Sequence, residues 1–387
     1  MESLGAAIGA AFGLMIIISI VLCFIFPKWI TLFIIRYVPG ASWQQGDITS
    51  DIMQQSHREA PKVELPRPKQ ILEHKFGEPK TNIGEFDGTL RVISFNIFLG
   101  QNLDAVLYEL SLIEPFPDVL LLQEDNIFED SMESVNNNNE RKIFRHVGGA
   151  IAKKFNCNCC FIPTYFRGDG EKIPLRGCYG MSILSRFKLE NINLFPCGDT
   201  RPTLVKQLSD YVYGERAFAY AEALLPGEKK VGFISVHLPS VGKFYERKAM
   251  IQQLFENVDS LKTKSQQDIP VIIGGDCNTF PFVARYLPFL STDLLFSCKS
   301  ESEEFKHFVE REDNGFSFSL FDPFPTNTKT IWRENVKGSK LDWIFLEKNK
   351  FEVTSKQVQK EGTKPTSKLP SDHKWLLVDC ILSHKNQ

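Results

Sequence analysis

The sequence predicts an α/β fold of two packed sheets flanked by helices, preceded by one transmembrane helix. Three observations lead there. An uncharged, almost wholly apolar run fills the N-terminus between Ser3 and Pro27. From about Gly88 the texture changes to short β-rich runs bounded by Gly, Pro, Asn or charges. Few stretches in that region carry helical apolar spacing, so strands outnumber clear helices. The chain of 387 residues therefore divides into an anchor (1–36), a polar tether (37–88) and a body (89–387).

Composition narrows the function classes. With 43% hydrophobic and 24% charged residues, bulk disorder, collagen-like repeats and a polytopic membrane protein are excluded. A formal net charge of −2 gives no argument for bulk polyanion binding. The 32 Phe point to an aromatic-rich core, and nine cysteines without regular spacing argue against a disulfide framework.

The N-terminal run Leu4–Phe26 is long enough as a helix to cross a hydrocarbon core of roughly 30 Å. A cleaved signal peptide needs a basic start and a short apolar core. Here Glu2 is the charge before the run, the run is too long, and Val38-Pro39-Gly40 is a poor cleavage site. An uncleaved single-pass anchor is expected. Lys28 and Arg36 flank its C-terminal side, and no basic side chain precedes it, so positive-inside bias places the body in the cytosol. Residues 37–88, broken by Pro39, Pro61, Pro66, Pro68 and Pro79, read as a tether. Their basic residues Arg58, Lys62, Arg67 and Lys69 are interspersed with acids, which argues against a lipid-binding patch.

Within the body, strands are expected at Leu90–Phe95, Val119–Leu122, Gly180–Leu184, Ala217–Leu225, Val231–Val236, Pro270–Ile273, Leu341–Leu346 and Trp375–Ile381. Helices are expected at Leu103–Ile113 and Phe244–Leu261, the second with an apolar stripe of Phe244, Met250, Leu254, Val258 and Leu261. Asn136–Asn139 reads as a loop tip.

Polar residues gather at the ends of these apolar strands, and a buried strand needs no charge to fold. Asn96 ends the first and Glu124 follows the second. His237 ends a central strand, Asp276 and Asn278 follow another, and Asp372 and His373 precede the last. Singly, Asn96 and the Asp276–Asn278 loop also read as turn formers, Glu124 as a solvated acid and His237 as a structural histidine. Asp342 lies inside an apolar strand, where an unpaired carboxylate costs several kcal/mol, so it calls for a partner such as histidine. Together these groups form a toolkit for metal-assisted phosphoester hydrolysis. Carboxylates suit a hard cation such as Mg²⁺, with Mn²⁺ as its substitute. Histidine and aspartate activate water and protonate a leaving group.

In this order the stretches RVISFNIFLG (91–100), PDVLLLQEDN (117–126), YGMSILSR (179–186), FISVHLPS (233–240), VIIGGDCNTFP (271–281), LDWIFL (341–346) and PSDHKWLLVD (370–379) resemble the endonuclease/exonuclease/phosphatase superfamily. The resemblance implies a four-layer α/β/β/α sandwich of two mixed sheets with the active site at one end. It implies Glu124 as the principal Mg²⁺ ligand, with Asn96 beside it and Asp372 near the metal. It implies Asp276 as the residue that orients or deprotonates water, and Asn278 as its phosphate-binding companion. His237 would be the transition-state stabiliser or general acid. His373 would be the second catalytic histidine, oriented by Asp342.

Departures narrow the subgroup. Branches that repair DNA usually carry an acid two residues after the first Asn, where this chain has Phe98. The inositol-polyphosphate phosphatase branch follows its Asp-x-Asn with Tyr-Arg, where this chain has Thr279-Phe280. Neutral sphingomyelinases lack that acid too, and their substrate lies in a membrane. Arg216 opens a strand and is a candidate for a substrate phosphate. Cys157, Cys159 and Cys160 are too closely spaced for a standard zinc site and read as buried thiols. The expected protein is a membrane-anchored, Mg²⁺-dependent phosphodiesterase on a phospholipid, partnered by the bilayer. The alternatives are a membrane-tethered nuclease, a phosphatase on a soluble phosphate ester, and a non-catalytic binding module.

Overall fold

Two mixed sheets pack face to face with helices outside them. The computed structural model describes residues 55–78, 86–130, 142–167, 177–197, 212–213, 216–239, 244–265, 268–279, 298–312, 315–332, 340–360 and 369–383. The predicted anchor (1–36), the first part of the tether and the Asn136–Asn139 tip lie outside these residues. Among the described residues no helix is long and apolar enough to cross a membrane.

The elements run α1 (Gln55–Glu59), β1 (Lys62–Val63), β2 (Leu72–Lys75), β3 (Thr89–Asn96), a tight turn at Phe98–Gly100, α2 (Leu103–Ser111), β4 (Val119–Glu129), β5 (Phe144–His146), α3 (Val147–Lys154), β6 (Asn158–Arg167), β7 (Gly177–Ser185), β8 (Lys188–Pro196), β9 (Val212–Tyr213), β10 (Ala217–Leu224), β11 (Lys230–His237), α4 (Phe244–Ser265), β12 (Val271–Asp276), α5 (Cys298–Glu310), β13 (Leu320–Phe321), β14 (Asp342–Glu347), β15 (Phe351–Val358) and β16 (Leu376–Leu382). Among the described residues the first sheet has the path β15-β16-β3-β4-β7-β6-β2, and the second is β13-β14-β12-β11-β10-β8. Among the described residues each sheet contains one parallel pair, β3 with β4 and β11 with β12.

Alternation builds the layers, because successive strand residues face opposite sides. Leu90, Val92, Val119, Leu121, Phe233, Ile272, Ile344 and Val378 fill the core between the sheets. Their neighbours Ile93, Leu120, Leu122 and Leu377 pack outward with Leu103 and Val106 of α2 and Ile151 of α3. Behind the second sheet, Ile273 and Phe345 meet Met250, Leu254 and Val258 of α4 and Phe305 of α5. The stripe expected on α4 is therefore core packing. The body has four layers: helices, sheet, sheet, helices.

Every expected strand and both expected helices are present with shifted ends. The tether assignment needs correction. β1 pairs with β5 and β2 with β6, so two short stretches of the segment after residue 54 belong to the first sheet. Cys157, Cys159 and Cys160 are all buried. Burial raises the thiols of Cys159 and Cys160, the latter to about 12, so both stay protonated and unreactive.

Candidate active site

The site is the last inward-facing position of several strands at one end of the sandwich. In β11, β12 and β14, His237 pairs in register with Asp276, and Asp276 with Asp342. The three side chains thus continue the row below them, where Ser235, Gly274 and Ile344 are paired. In the facing sheet, β3 ends in Asn96, which pairs with Gln123 of β4. The apolar rows beneath fix the strands, and polarity begins where the core stops. Gly274 belongs to this design: a Cβ there would lie 2.7 Å from Leu121 Cδ1, so glycine lets the sheets approach below the site.

Glu124 reaches the cleft through a β-bulge. The register of β4 against β7 shifts between Gln123 and Asp125, leaving Glu124 as the extra residue at φ +53°. Its side chain is 22% exposed. Asn96 donates Nδ2 to Glu124 Oε1 at 3.2 Å and to Asp276 Oδ2 at 3.1 Å. Its own oxygen accepts the Phe98 N–H at 3.0 Å. Asn96, expected beside the metal, is therefore a clamp on both carboxylates in this arrangement.

One oxygen is the focus. Asp276 Oδ2 lies 3.6 Å from His237 Nε2 and 3.7 Å from His373 Nε2, besides the bond from Asn96. His237 Nε2 is also 3.7 Å from Glu124 Oε1. His373 Nδ1 meets Asp342 Oδ2 at 2.9 Å, the partner that a buried Asp342 required. Burial pulls the His373 pKa down, but Asp342, Asp276 and Asp372 outweigh it and raise it well above its ordinary value. Burial pushes the Asp276 carboxyl up to about 7; Asp342 and Glu124 add to this, while His373 and the Asn278 N–H oppose it. The site thus joins a histidine that holds its proton tightly to a carboxyl titrating near neutrality.

The remaining predicted residues surround this centre. Asn278 sits at φ +47°. Its N–H donates to Asp276 Oδ1 at 2.9 Å and its Nδ2 to the Leu238 carbonyl at 2.9 Å, so it ties the loops after β11 and β12. Asp372 has the most open side chain of the set, with its Oδ1 turned inward, 3.9 Å from His373 Nε2. Arg216 donates to the carbonyl of His237 at 2.7 Å, and its guanidinium carbon lies 5.1 Å from the centre of the Tyr165 ring. It supports the backbone of a site residue.

Sequence reasoning assigned no role to several supports. Ser371 Oγ donates to the Asn96 carbonyl at 2.6 Å and accepts the His373 N–H at 3.1 Å, joining the two ends of the site. Gln123 Nε2 donates to Ser235 Oγ at 3.0 Å, tying the sheets beneath it. Thr330 Oγ1 accepts the Leu341 and Asp342 N–H groups. Gln123 and Ser235 interrupt apolar runs, which is the signal that could have found them.

The donor set fits a hard divalent cation. It is rich in carboxylate oxygen, and Asp342 Oδ1 and Asp372 Oδ1 are buried without a hydrogen-bond donor. Asp276, Asp342 and His373 bring ligand atoms within 4.8 Å of one another. His373, however, already has its Nδ1 engaged by Asp342 Oδ2 at 2.9 Å. Glu124, partly exposed and beside Asp276, is the better-placed ligand.

Fold and site together define a two-sheet hydrolase scaffold with a carboxylate–histidine cleft at the strand ends. The sequence profile of the Endonuclease/Exonuclease/phosphatase family matches residues 93–373, spanning every site residue above. The chain belongs to that family, whose members are generally hydrolases of phosphoesters and typically depend on a divalent metal. Solved structures with a similar fold include a family member from Beutenbergia cavernae DSM 12333 (14% identity, 76% of this chain and 72% of that chain, TM-score 0.48). Another comes from Leptotrichia buccalis C-1013-b (16%, 75% and 98%, 0.46). The human Nocturnin catalytic domain with bound sulfate anion is a third (17%, 85% and 100%, 0.45). No curated protein sequence matches the chain.

Proposed function

We propose that this protein is a membrane-anchored, Mg²⁺-dependent phosphodiesterase acting on a phospholipid, with its body in the cytosol. The observation that carries the reaction class is the meeting of Asn96, His237 and His373 nitrogens around one Asp276 oxygen, beside Glu124. The lipid substrate is supported by the apolar run Leu4–Phe26 and by Phe98 at the position where DNA-repair branches carry an acid.

Glu124 would hold the Mg²⁺, for which Mn²⁺ would substitute, and Asn96 clamps its carboxylate. Asp372 lies on the open rim nearby. When bound, the ion supplies charge neutralisation at the phosphoryl oxygens. Asp276 takes the proton of the attacking water as the new oxygen–phosphorus bond forms, a task suited to a base titrating near neutral pH. His373, kept protonated by Asp342, donates to a phosphoryl oxygen. His237 gives a proton to the leaving lipid oxygen as its bond to phosphorus breaks, releasing the phosphorylated headgroup and a neutral lipid alcohol. Asn278 and Arg216 hold the His237 loop from two sides.

The test is the full-length protein in mixed micelles, with Mg²⁺ or EDTA. The substrates are sphingomyelin, other phospholipids, inositol phosphates, DNA and RNA. Headgroup release that needs Mg²⁺ is expected. Glu124→Gln, Asp276→Asn and His373→Ala should each lower it by roughly 10²- to 10⁴-fold without unfolding the protein. Wild-type rates from any of the three overturn the mechanism. Metal-dependent cleavage of nucleic acid alone makes the protein a tethered nuclease, and of inositol phosphates alone a phosphatase.

A further inference from the structure

A second buried polar chain lies outside the reaction described above, and it begins at the residue after Glu124. Asp125 is fully buried. Its Oδ1 accepts the N–H groups of Gly148 and Asn126, each at 2.7 Å. Its Oδ2 accepts the Ser182 hydroxyl and lies 2.8 Å from His146 Nε2. His146 Nδ1 in turn lies 2.9 Å from His74 Nε2, with the rings stacked at 5.0 Å. His74 comes from β2, in the segment that the sequence reading left in the tether.

The bulge explains what this chain does. In β4, Val119 and Leu121 face the inter-sheet core while Leu120 and Leu122 face outward. Strict alternation would send residue 124 outward as well. Instead Glu124 is the inserted residue, and Asp125 takes the next ladder position, opposite Gly180. There the outer layer holds Asp125 by four donors. Its contact with α3 is so close that a Cβ on Gly148 would lie 2.0 Å from Asp125 Oδ2. A slip of the bulge by one residue would empty this pocket of its carboxylate and turn Glu124 away from the cleft. A second tie from the same N-terminal segment reaches the other strand end. Buried His57 Nε2 lies 2.7 Å from the carbonyl of Gly100, in the turn after Asn96.

We propose that Asp125, His146 and His74 are positioning residues that fix the aim of Glu124, making the N-terminal segment part of the metal site's support. This rests on the reading of Glu124 as the metal ligand. The relay touches neither substrate nor ion; it acts through the backbone of the bulge.

The test uses the full-length protein and Mn²⁺ as the probe. Binding is read by the electron paramagnetic resonance signal of free Mn²⁺, well below the melting temperature of every variant. His74→Phe keeps the stacked ring and removes the hydrogen bond to His146. It is expected to weaken Mn²⁺ about tenfold, the usual size for an outer partner of a ligand, with little change in melting temperature. His74→Gln, which restores a polar atom near Nε2, should recover most of that loss. Ser182→Ala, a smaller change on the Asp125 pocket, should weaken Mn²⁺ in the same direction. Wild-type Mn²⁺ affinity in both His74→Phe and Ser182→Ala, while Glu124→Gln has lost it, overturns the positioning role. Undiminished Mn²⁺ binding by Glu124→Gln instead overturns the assignment of the ligand itself.

Discussion

The carboxyl of Asp276, 1% exposed, is held up to about 7 by burial, against an ordinary value of 3.8. The folded protein thus keeps this proton more tightly than the unfolded chain does. The stability that the group contributes is fully present below about pH 4 and is lost as pH rises through about 7. The slope is at most about 1.4 kcal/mol per pH unit. His373, also raised, acts in the same sense but at higher pH, because its own proton is held well above the ordinary imidazole range. In EDTA, the stability of wild type relative to Asp276→Asn should therefore fall between pH 4 and 7, measured by denaturant melts at fixed ionic strength. Parallel pH profiles for the two proteins would show that Asp276 ionises normally and would remove it as the neutral-pH base. His373 and Asp342 also show what a sequence can disclose at this scale. An acid inside an apolar strand demanded a partner, and the structure supplies one at 2.9 Å.

Secondary-structure elements carry the site because their apolar rows fix where each last polar residue points. Gly274 tests this directly, since a Cβ there would press on Leu121 Cδ1 at 2.7 Å and Ser94 Cβ at 3.2 Å. Gly274→Ala should cost about 1–3 kcal/mol of stability, the usual range for overpacking a core. It should also lower turnover by separating Asn96 from Asp276; unchanged turnover in the destabilised protein would show that the two sheets need no such close approach. The strand ends were legible because buried runs such as Val271-Ile272-Ile273 stop abruptly at Asp276. The edge strands were not. β8 and β15 alternate intermediate or exposed polar positions along their length, so they lack a buried-strand signature. β6 carries Pro163 at a register shift, a position that weakens any strand reading. The bulge at Glu124 was equally hidden, because its cause lies in the donors around Asp125 from α3, β5 and β7, far away in sequence. Phe98 and Leu99, at φ +49° and +56°, likewise form a turn after Asn96 that apolar periodicity does not announce.

For the whole molecule, the pairing of β1 and β2 moves the boundary of the body toward the N-terminus. Between the expected anchor, ending at residue 36, and α1 at Gln55 the linker can reach no more than roughly 60 Å even when fully extended. On the proposed reading, a body on so short a leash would stay within reach of its bilayer, which would raise the effective concentration of a lipid substrate without any new contact. A chain beginning at residue 55 should therefore keep the full-length rate on a soluble phosphodiester at saturating Mg²⁺. On phospholipid vesicles it should lose at least about tenfold, and it should no longer sediment with them. A chain beginning at residue 77 lacks His57 and His74 and should fail differently, with weaker Mn²⁺ binding and slower turnover on either substrate. Equal rates on vesicles for the full chain and the residue-55 chain would separate the N-terminal run from substrate access. The lipid reading would then have to stand on the chemistry of the cleft alone.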